Sequence, residues 1–213
     1  MEAPMKLRYD KLGPKVVKAL ESRFFEAWYF SEIPQALDKV FSLIPKTDVV
    51  SWGGSLTTAG LNVRVMAVEK GYQVIDREKA TSAEERAELQ RKALLCDTFL
   101  TGTNAISEDG QLYNIDGAGN RVAAMIYGPK QVIVIAGMNK VCKTVDDAFV
   151  RARTIAAPAN TQRFPTLKTP CNENGSCADC LSKDSICTFL VHIRLCNPAG
   201  RIKVILIGED LGL

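Results

Sequence analysis

Three short runs of apolar, mostly β-branched residues constrain this chain more than any other feature: Asp48–Trp52, Gln131–Ala136 and Arg201–Ile207. Each has the length of a strand buried on both faces, and the segments around them carry apolar residues at helical spacing. Such strands alternating with amphipathic helices predict an α/β domain, three αβα layers around a mostly parallel sheet. The helical period runs over Pro14–Phe30, with Val17, Leu20, Phe24 and Trp28 on one stripe. A second helix is expected from an N-cap at Ser31, burying Ile33, Leu37, Val40, Phe41 and Ile44 before Pro45 stops it. Further on, a helix through Met66–Lys70 ends at Gly71, and Tyr72–Asp76 reads as a strand. Ser82 and Glu85 form a capping-box pattern ahead of a polar helix. Asp97–Ser107 reads as one strand that turns at Glu108-Asp109-Gly110 and returns through Gln111–Ile115, an antiparallel hairpin added to the sheet. Helices are expected again over Asn120–Tyr127 and from Thr144.

With 213 residues and 46% hydrophobic content, the chain can bury one substantial core. It reads as a single domain, 1–213, with an N-terminal helical segment 1–45 and a cysteine-rich insertion 158–197 whose periodicity vanishes. Lys and Arg exceed Asp and Glu by 27 − 24 = +3, too little to make nucleic acid or an anionic membrane the main partner. No run approaches the ~20 apolar residues of a membrane span, and no apolar signal segment follows Met1, so a cytoplasmic protein is expected. His192 is the sole histidine, which excludes chemistry needing two imidazoles from one chain. Its alternation with Phe189, Leu190, Val191 and Ile193 favours a structural place in a strand.

Four of the seven cysteines crowd together as Cys171-x5-Cys177-x2-Cys180-x6-Cys187. In a chain lacking an export signal, such crowding favours a metal over disulfides. The spacing matches neither a two-pair zinc ribbon nor the bacterial ferredoxin run, so an iron–sulfur cluster, zinc, and metal-free thiols or a redox disulfide all stay open. Cys196, beside Leu195, is expected to be a buried small hydrophobe.

Gly53-Gly54-Ser55-Leu56-Thr57 follows a strand and precedes a helix, a place where backbone N–H groups and hydroxyls receive phosphate or carboxylate. Neither a P-loop nor a dinucleotide fingerprint is present. Asn104, Gly119, Asn120 and Arg121 flank the hairpin and form a second candidate site for a small anionic ligand, with Glu108 as candidate catalytic base or nucleophile. The competing reading is plain turn chemistry, with Arg121 paired to Asp116.

Trp52-Gly-Gly-Ser55-Leu-Thr, Thr101-Gly-Thr-Asn-Ala-Ile-Ser-Glu-Asp-Gly110, Asn114-Ile-Asp-Gly-Ala-Gly-Asn-Arg121, Gly128–Gly137 and the tail Gly200–Gly212 together resemble the LUD (lactate-utilisation) domain family. The resemblance spans nearly the whole chain. It implies an αβα fold of the ribose-5-phosphate isomerase/CoA-transferase-like kind, and an association with lactate oxidation alongside iron–sulfur protein partners. Long-type members carry a ferredoxin-like extension; this chain has the Cys171–Cys187 group instead, as a shorter subgroup does.

The leading expectation is an accessory or redox component of lactate or organic-acid oxidation that binds a metal or iron–sulfur cluster and a small anion. The alternatives are an isomerase or acyl/CoA-transferase-like enzyme, with Glu108 acting and Gly53–Ser55 holding phosphate, and a zinc-stapled interaction module. A homo-oligomer is compatible with all three.

Overall fold

The computed structural model describes residues 1–213. Along the chain run α1 (Ala3–Ser22), β1 (Glu26–Phe30), α2 (Ile33–Ser42), β2 (Val49–Trp52), α3 (Leu56–Gly60), α4 (Val63–Glu69), β3 (Gln73–Ile75), α5 (Ala83–Ala93), β4 (Thr98–Thr101), β5 (Ala105–Ser107), β6 (Leu112–Asp116), α6 (Asn120–Ile126), β7 (Gln131–Gly137), β8 (Val141–Cys142), α7 (Val145–Arg151), a π-helical turn (Ala152–Ala156), α8 (Ala157–Thr161), α9 (Pro170–Asn174), β9 (Phe189–Ile193) and β10 (Ile202–Ile207).

Six strands form one sheet in the order β1-β10-β7-β4-β2-β3, and every pairing in it is parallel. The alternation within β7 and β10 explains the layers. Val132, Val134, Val204 and Leu206 face a core shared with α1, α5 and α6, and Ile133, Ile135, Ile205 and Ile207 face one shared with α2 and α4. Helices on both faces of a parallel sheet give the α/β fold that the strand runs require.

The structure corrects several expectations. The helix read over Pro14–Phe30 ends at Ser22, because Phe24 adopts φ +68° and the chain turns into β1. Ala27, Trp28, Tyr29 and Phe30 pair with β10 as its parallel edge neighbour, and the three aromatics among them are good strand formers. The stripe that α1 buries is Tyr9, Gly13, Val16 and Leu20. Gly13 is needed there, since a Cβ would run into the Tyr29 ring. The segment 1–45 is thus two helices around a strand. Ser31, expected to cap α2, instead donates its hydroxyl to Asp10 at 2.7 Å, and Glu32 occupies the cap position without a side-chain bond.

The single strand read over Asp97–Ser107 is two strands in different sheets. β4 sits within the parallel sheet, and after Gly102–Asn104 the chain enters a second sheet ordered β8-β5-β6-β9. The hairpin is therefore the centre of its own small sheet rather than an addition to the main one. The segment 158–197 is also more ordered than its periodicity implies: it contains most of α8 and all of α9, and β9 pairs antiparallel with β6 from Leu112↔Ile193 to Asp116↔Phe189. His192 lies opposite Tyr113 in that register, with Nε2 2.7 Å from Gln111 Oε1. Cys196 is buried in the first core, as expected. No helix is long and apolar enough to cross a membrane.

Candidate functional site: a cationic cleft at the switch point of the sheet

From β2 the chain moves outward to β3 and then returns across β2 to β4, so its direction of winding reverses between β2 and β4. Carboxyl ends of strands diverge at such a point, leaving a crevice that ligands occupy. The loops Gly53–Ser55 after β2 and Gly102–Asn104 after β4 flank this crevice, which opens into a cleft of about 450 Å³. That volume suits a small metabolite.

Charge distinguishes the cleft. Arg64, Arg77, Arg86, Arg121, Arg163 and Lys140 line it, against two carboxylates, Glu78 and Asp116. Three of the guanidiniums gather on Glu78: Arg77 Nε at 3.2 Å, Arg86 Nη2 at 3.2 Å and Arg64 Nη1 at 3.6 Å. Burial opposes ionisation of Glu78, but the Arg77 and Arg86 charges prevail and hold its carboxyl below the usual range. The group keeps a net positive charge. The Arg77 side chain has no protein hydrogen bond beyond the one from Nε to Glu78, so both of its Nη groups are free. A Cβ on Gly54 would lie 2.9 Å from Arg77 Nη2, so glycine lets the guanidinium lie against the backbone.

Arg121 has a different role. Nη1 donates to Asn114 Oδ1 at 2.7 Å and to the Gly102 carbonyl at 3.4 Å. Nη2 donates to Asn104 Oδ1 at 3.0 Å and the Ile115 carbonyl at 2.6 Å. Nε lies 3.3 Å from Asp116 Oδ2. Four of the five N–H donors of the guanidinium are thereby hydrogen-bonded, and the fifth, at Nε, faces the Asp116 carboxylate. Arg121 is a buried tie between the two sheets and leaves no donor for a ligand. Gly53 stands behind it, where a Cβ would come within 2.8 Å of Arg121 Cγ, and its amide donates to the Leu100 carbonyl at 3.0 Å.

The remaining residues expected at the site divide between lining and support. Gly54, Ser55, Asn104 and Asn120 line the cleft; Gly53, Thr57, Gly119 and Glu108 do not. Ser55 Oγ accepts from the Thr58 amide and caps α3, which spans only five residues. Asn104 commits its side-chain oxygen to Arg121 and the Ile115 amide, which leaves its NH2 as the donor for the cleft. Thr57 Oγ1 accepts from Lys140 Nζ at 3.0 Å, and the Thr103 carbonyl holds the same ammonium at 3.2 Å. Gly119, at φ +81°, passes the Phe189 ring, which would lie 2.8 Å from a Cβ.

Glu108 sits at the opposite end of the hairpin, with its carboxylate on Lys143 Nζ at 2.7 Å. The structure does not bring it together with Gly53–Ser55, so a role for it in acting on a ligand held there has no geometric basis. Glu108→Gln is accordingly expected to leave pyrophosphate affinity unchanged, measured by titration calorimetry. A loss of affinity would restore Glu108 to the site.

The sequence reading missed Lys140, Arg64, Arg77, Glu78, Arg86 and Arg163. A signal existed for two of them: Lys140 and Arg77 follow the carboxyl ends of β7 and β3, where crevice residues belong. Arg86 and Arg163 reach the cleft only through tertiary packing.

Cys171, Cys177, Cys180 and Cys187 line a second, smaller cavity of about 40 Å³ next to the cleft. All four are free thiols, and no three acidic, thiol or imidazole groups converge tightly enough to hold one metal ion. The expected quartet thus gathers round a common space without closing on a single point.

Among curated proteins, no sequence matches this chain. Among solved structures, a DUF162 family protein from Deinococcus radiodurans is similar over 93% of this chain and 98% of its own, with 14% identity and a TM-score of 0.51. Ribose 5-phosphate isomerase A from Neisseria gonorrhoeae matches at 15% identity over 53% of this chain and 54% of its own, with a TM-score of 0.33. For eIF2B delta from Chaetomium thermophilum the values are 16%, 66%, 54% and 0.35. The LUD domain model matches residues 13–207. The chain, with its parallel sheet, hairpin and glycine turns all inside that match, belongs to the LUD domain family.

Proposed function

We propose that this protein is an accessory component of lactate or related organic-acid oxidation. It holds a small anion bearing phosphate or carboxylate groups in the cleft, and its cysteine quartet takes a metal, as an iron–sulfur cluster or, with the thiols drawn together, as zinc. The observation that carries the anion is Arg77. Its side chain is 13% exposed, and both Nη groups lack a protein partner and stay open to the solvent of a cleft of net positive charge. Open guanidinium donors in such a cleft pair with an anion through charge-assisted hydrogen bonds. Family membership supports the lactate context, and seven free thiols suit a reducing cytoplasm.

A second reading, an isomerase or acyl/CoA-transfer enzyme, is favoured by one observation. The buried Lys140 amine has its pKa pushed down to about 7, by burial first and then by the Arg151 and Arg121 charges. An amine that exchanges its proton near neutrality suits general acid–base chemistry. In this reading Lys140 takes the part the sequence assigned to Glu108.

Thermal-shift measurements with pyrophosphate, coenzyme A, ribose 5-phosphate and lactate test the anion reading. At least one is expected to raise Tm, with an affinity that falls as salt rises. Arg77→Gln is expected to weaken pyrophosphate binding about tenfold or more, the loss of one charge-assisted pair. No response to any of the four, or an affinity indifferent to Arg77→Gln, would overturn it. Turnover of a phosphorylated or CoA substrate that Lys140→Met abolishes would favour the second reading.

A further inference from the structure

The four cysteines reach their common cavity from α9 and the loop that leads to β9. Cys171 is buried, with its sulfur 3.6 Å from Thr161 Oγ1 and 3.4 Å from Thr169 Oγ1. Gln162 Nε2 donates to its carbonyl at 2.9 Å. Arg153, projecting from the π-helical turn, donates to Cys177 Sγ at 3.6 Å and pairs with Asp179. Its Nε is buried and has no hydrogen-bond partner. A π-helical turn re-aims the side chains around it, and such turns recur at functional sites.

The four sulfurs border one shared space. A single tetrahedral ion draws thiolates to about 2.3 Å from its centre, which closes them on one another. Here the thiols stand around a void of about 40 Å³, and no three of them share the position of one ion. Four thiolates spaced around a void fit an inorganic core of several atoms, as four-cysteine sets hold in iron–sulfur proteins. Arg153 supplies the complementary charge, with an unused buried donor at Nε. Charge and hydrogen bonds at the sulfurs are what set the potential of such a centre.

The cavity also shares a wall with the anion cleft. Ala157 and Ile186 line both. On α8, Pro158 and Thr161 face the thiols, while Asn160 faces the cleft, followed by Arg163 and Phe164. Ile186 immediately precedes Cys187, and its Cα would lie 3.3 Å from a Cβ on Gly117, another cleft residue. A packed wall this thin passes a displacement from one side to the other.

We propose that Cys171, Cys177, Cys180 and Cys187 seat an iron–sulfur cluster, and that filling this seat changes the affinity of the neighbouring cleft for its anion through α8 and Ile186. The first half narrows the metal of the proposed function to a cluster, and the second half rests on the anion reading. The four thiols give up their protons as they ligate iron, and ferrous and ferric iron in equal amounts, with sulfide, supply the core without a further oxidant. By reciprocity, the anion changes the affinity for the cluster by the same factor.

The test uses the full chain purified without oxygen, then reconstituted with equal amounts of ferrous and ferric iron and with sulfide. Iron and acid-labile sulfide are expected to be retained together, with broad visible absorption, and to be lost in Cys180→Ser and Cys187→Ser. Arg153→Gln is expected to keep the cluster and lower its reduction potential, since a neighbouring positive charge favours the reduced core. Retention of zinc alone, or of neither iron nor sulfide, would overturn the cluster. Pyrophosphate affinity is then compared between cluster-loaded and cluster-free protein, with a difference of about fivefold or more expected. Equal affinities would overturn the linkage. Pyrophosphate binding to neither form would overturn the linkage together with the anion reading, while the iron and sulfide content would still decide the cluster.

Discussion

Arg121→Ala is expected to destabilise the fold by about 3–5 kcal/mol, the cost of breaking a buried charged network by removing one partner. The substitution strands Asp116, Asn104, Asn114 and two backbone carbonyls that the guanidinium now satisfies. Because these acceptors come from β6 and from the loop after β4, the damage falls on the junction of the two sheets. Arg121→Lys is expected to recover only part of the loss, since an ammonium keeps the charge but cannot reproduce the planar fork. Urea unfolding monitored by circular dichroism gives the number. A loss below about 1 kcal/mol would mean that the network contributes no more than an exposed ion pair does.

Lys140 is expected to impose a pH step on anion binding. Burial, then the neighbouring Arg151 and Arg121 charges, push its pKa down to about 7. Below that value the ammonium adds its charge to the cleft; above it the amine is neutral. Affinity for sulfate, whose own charge is constant over this range, should therefore fall as pH rises through about 7. The drop should be about 10- to 100-fold, the worth of one charge-assisted hydrogen bond. Lys140→Met should abolish the step and leave affinity at the alkaline level throughout. Stability has the opposite sign. The unfolded chain keeps this proton up to the ordinary lysine range and the folded chain releases it near 7. This contribution to stability is thus fully present above the unfolded pKa and is lost progressively as pH falls from there through about 7. Opposed trends in binding and stability separate Lys140 from a group titrating elsewhere. A sulfate affinity that does not vary with pH, or the same step in Lys140→Met, would remove Lys140 from the cleft's chemistry.

The aromatic run of β1 shows where periodicity reading stops. Trp28 falls on a helical stripe with Val17, Leu20 and Phe24, and nothing local forbids a helix there. The left-handed Phe24 and the pairing of Glu26–Phe30 with β10 are decided by a strand nearly the whole chain length away. Gly102 is a similar case: local sequence runs through it as one strand, but its contact with Ser55 and the departure of the chain into a second sheet are long-range facts.

The candidate site was legible in the same uneven way. Gly54, Ser55, Asn104 and Asn120 were visible because loops at strand ends carry recognisable turn chemistry. Arg121 was visible too, but its role was not. Whether a guanidinium is an open donor or a fully bonded tie depends on groups from Gly102 to Asp116 folding around it.

By itself the sequence determined the layers and the direction of the strands, because burial on one or two faces imposes a period that side chains must satisfy locally. It also determined that four thiols lie within a few turns of one another. Only the tertiary structure decided that arginines from separate elements meet around Glu78, that Glu108 points away, and that the thiols share a wall with the cleft. Charge and ligand sites are sums over distant neighbours, and those sums exist only once the chain has closed on itself.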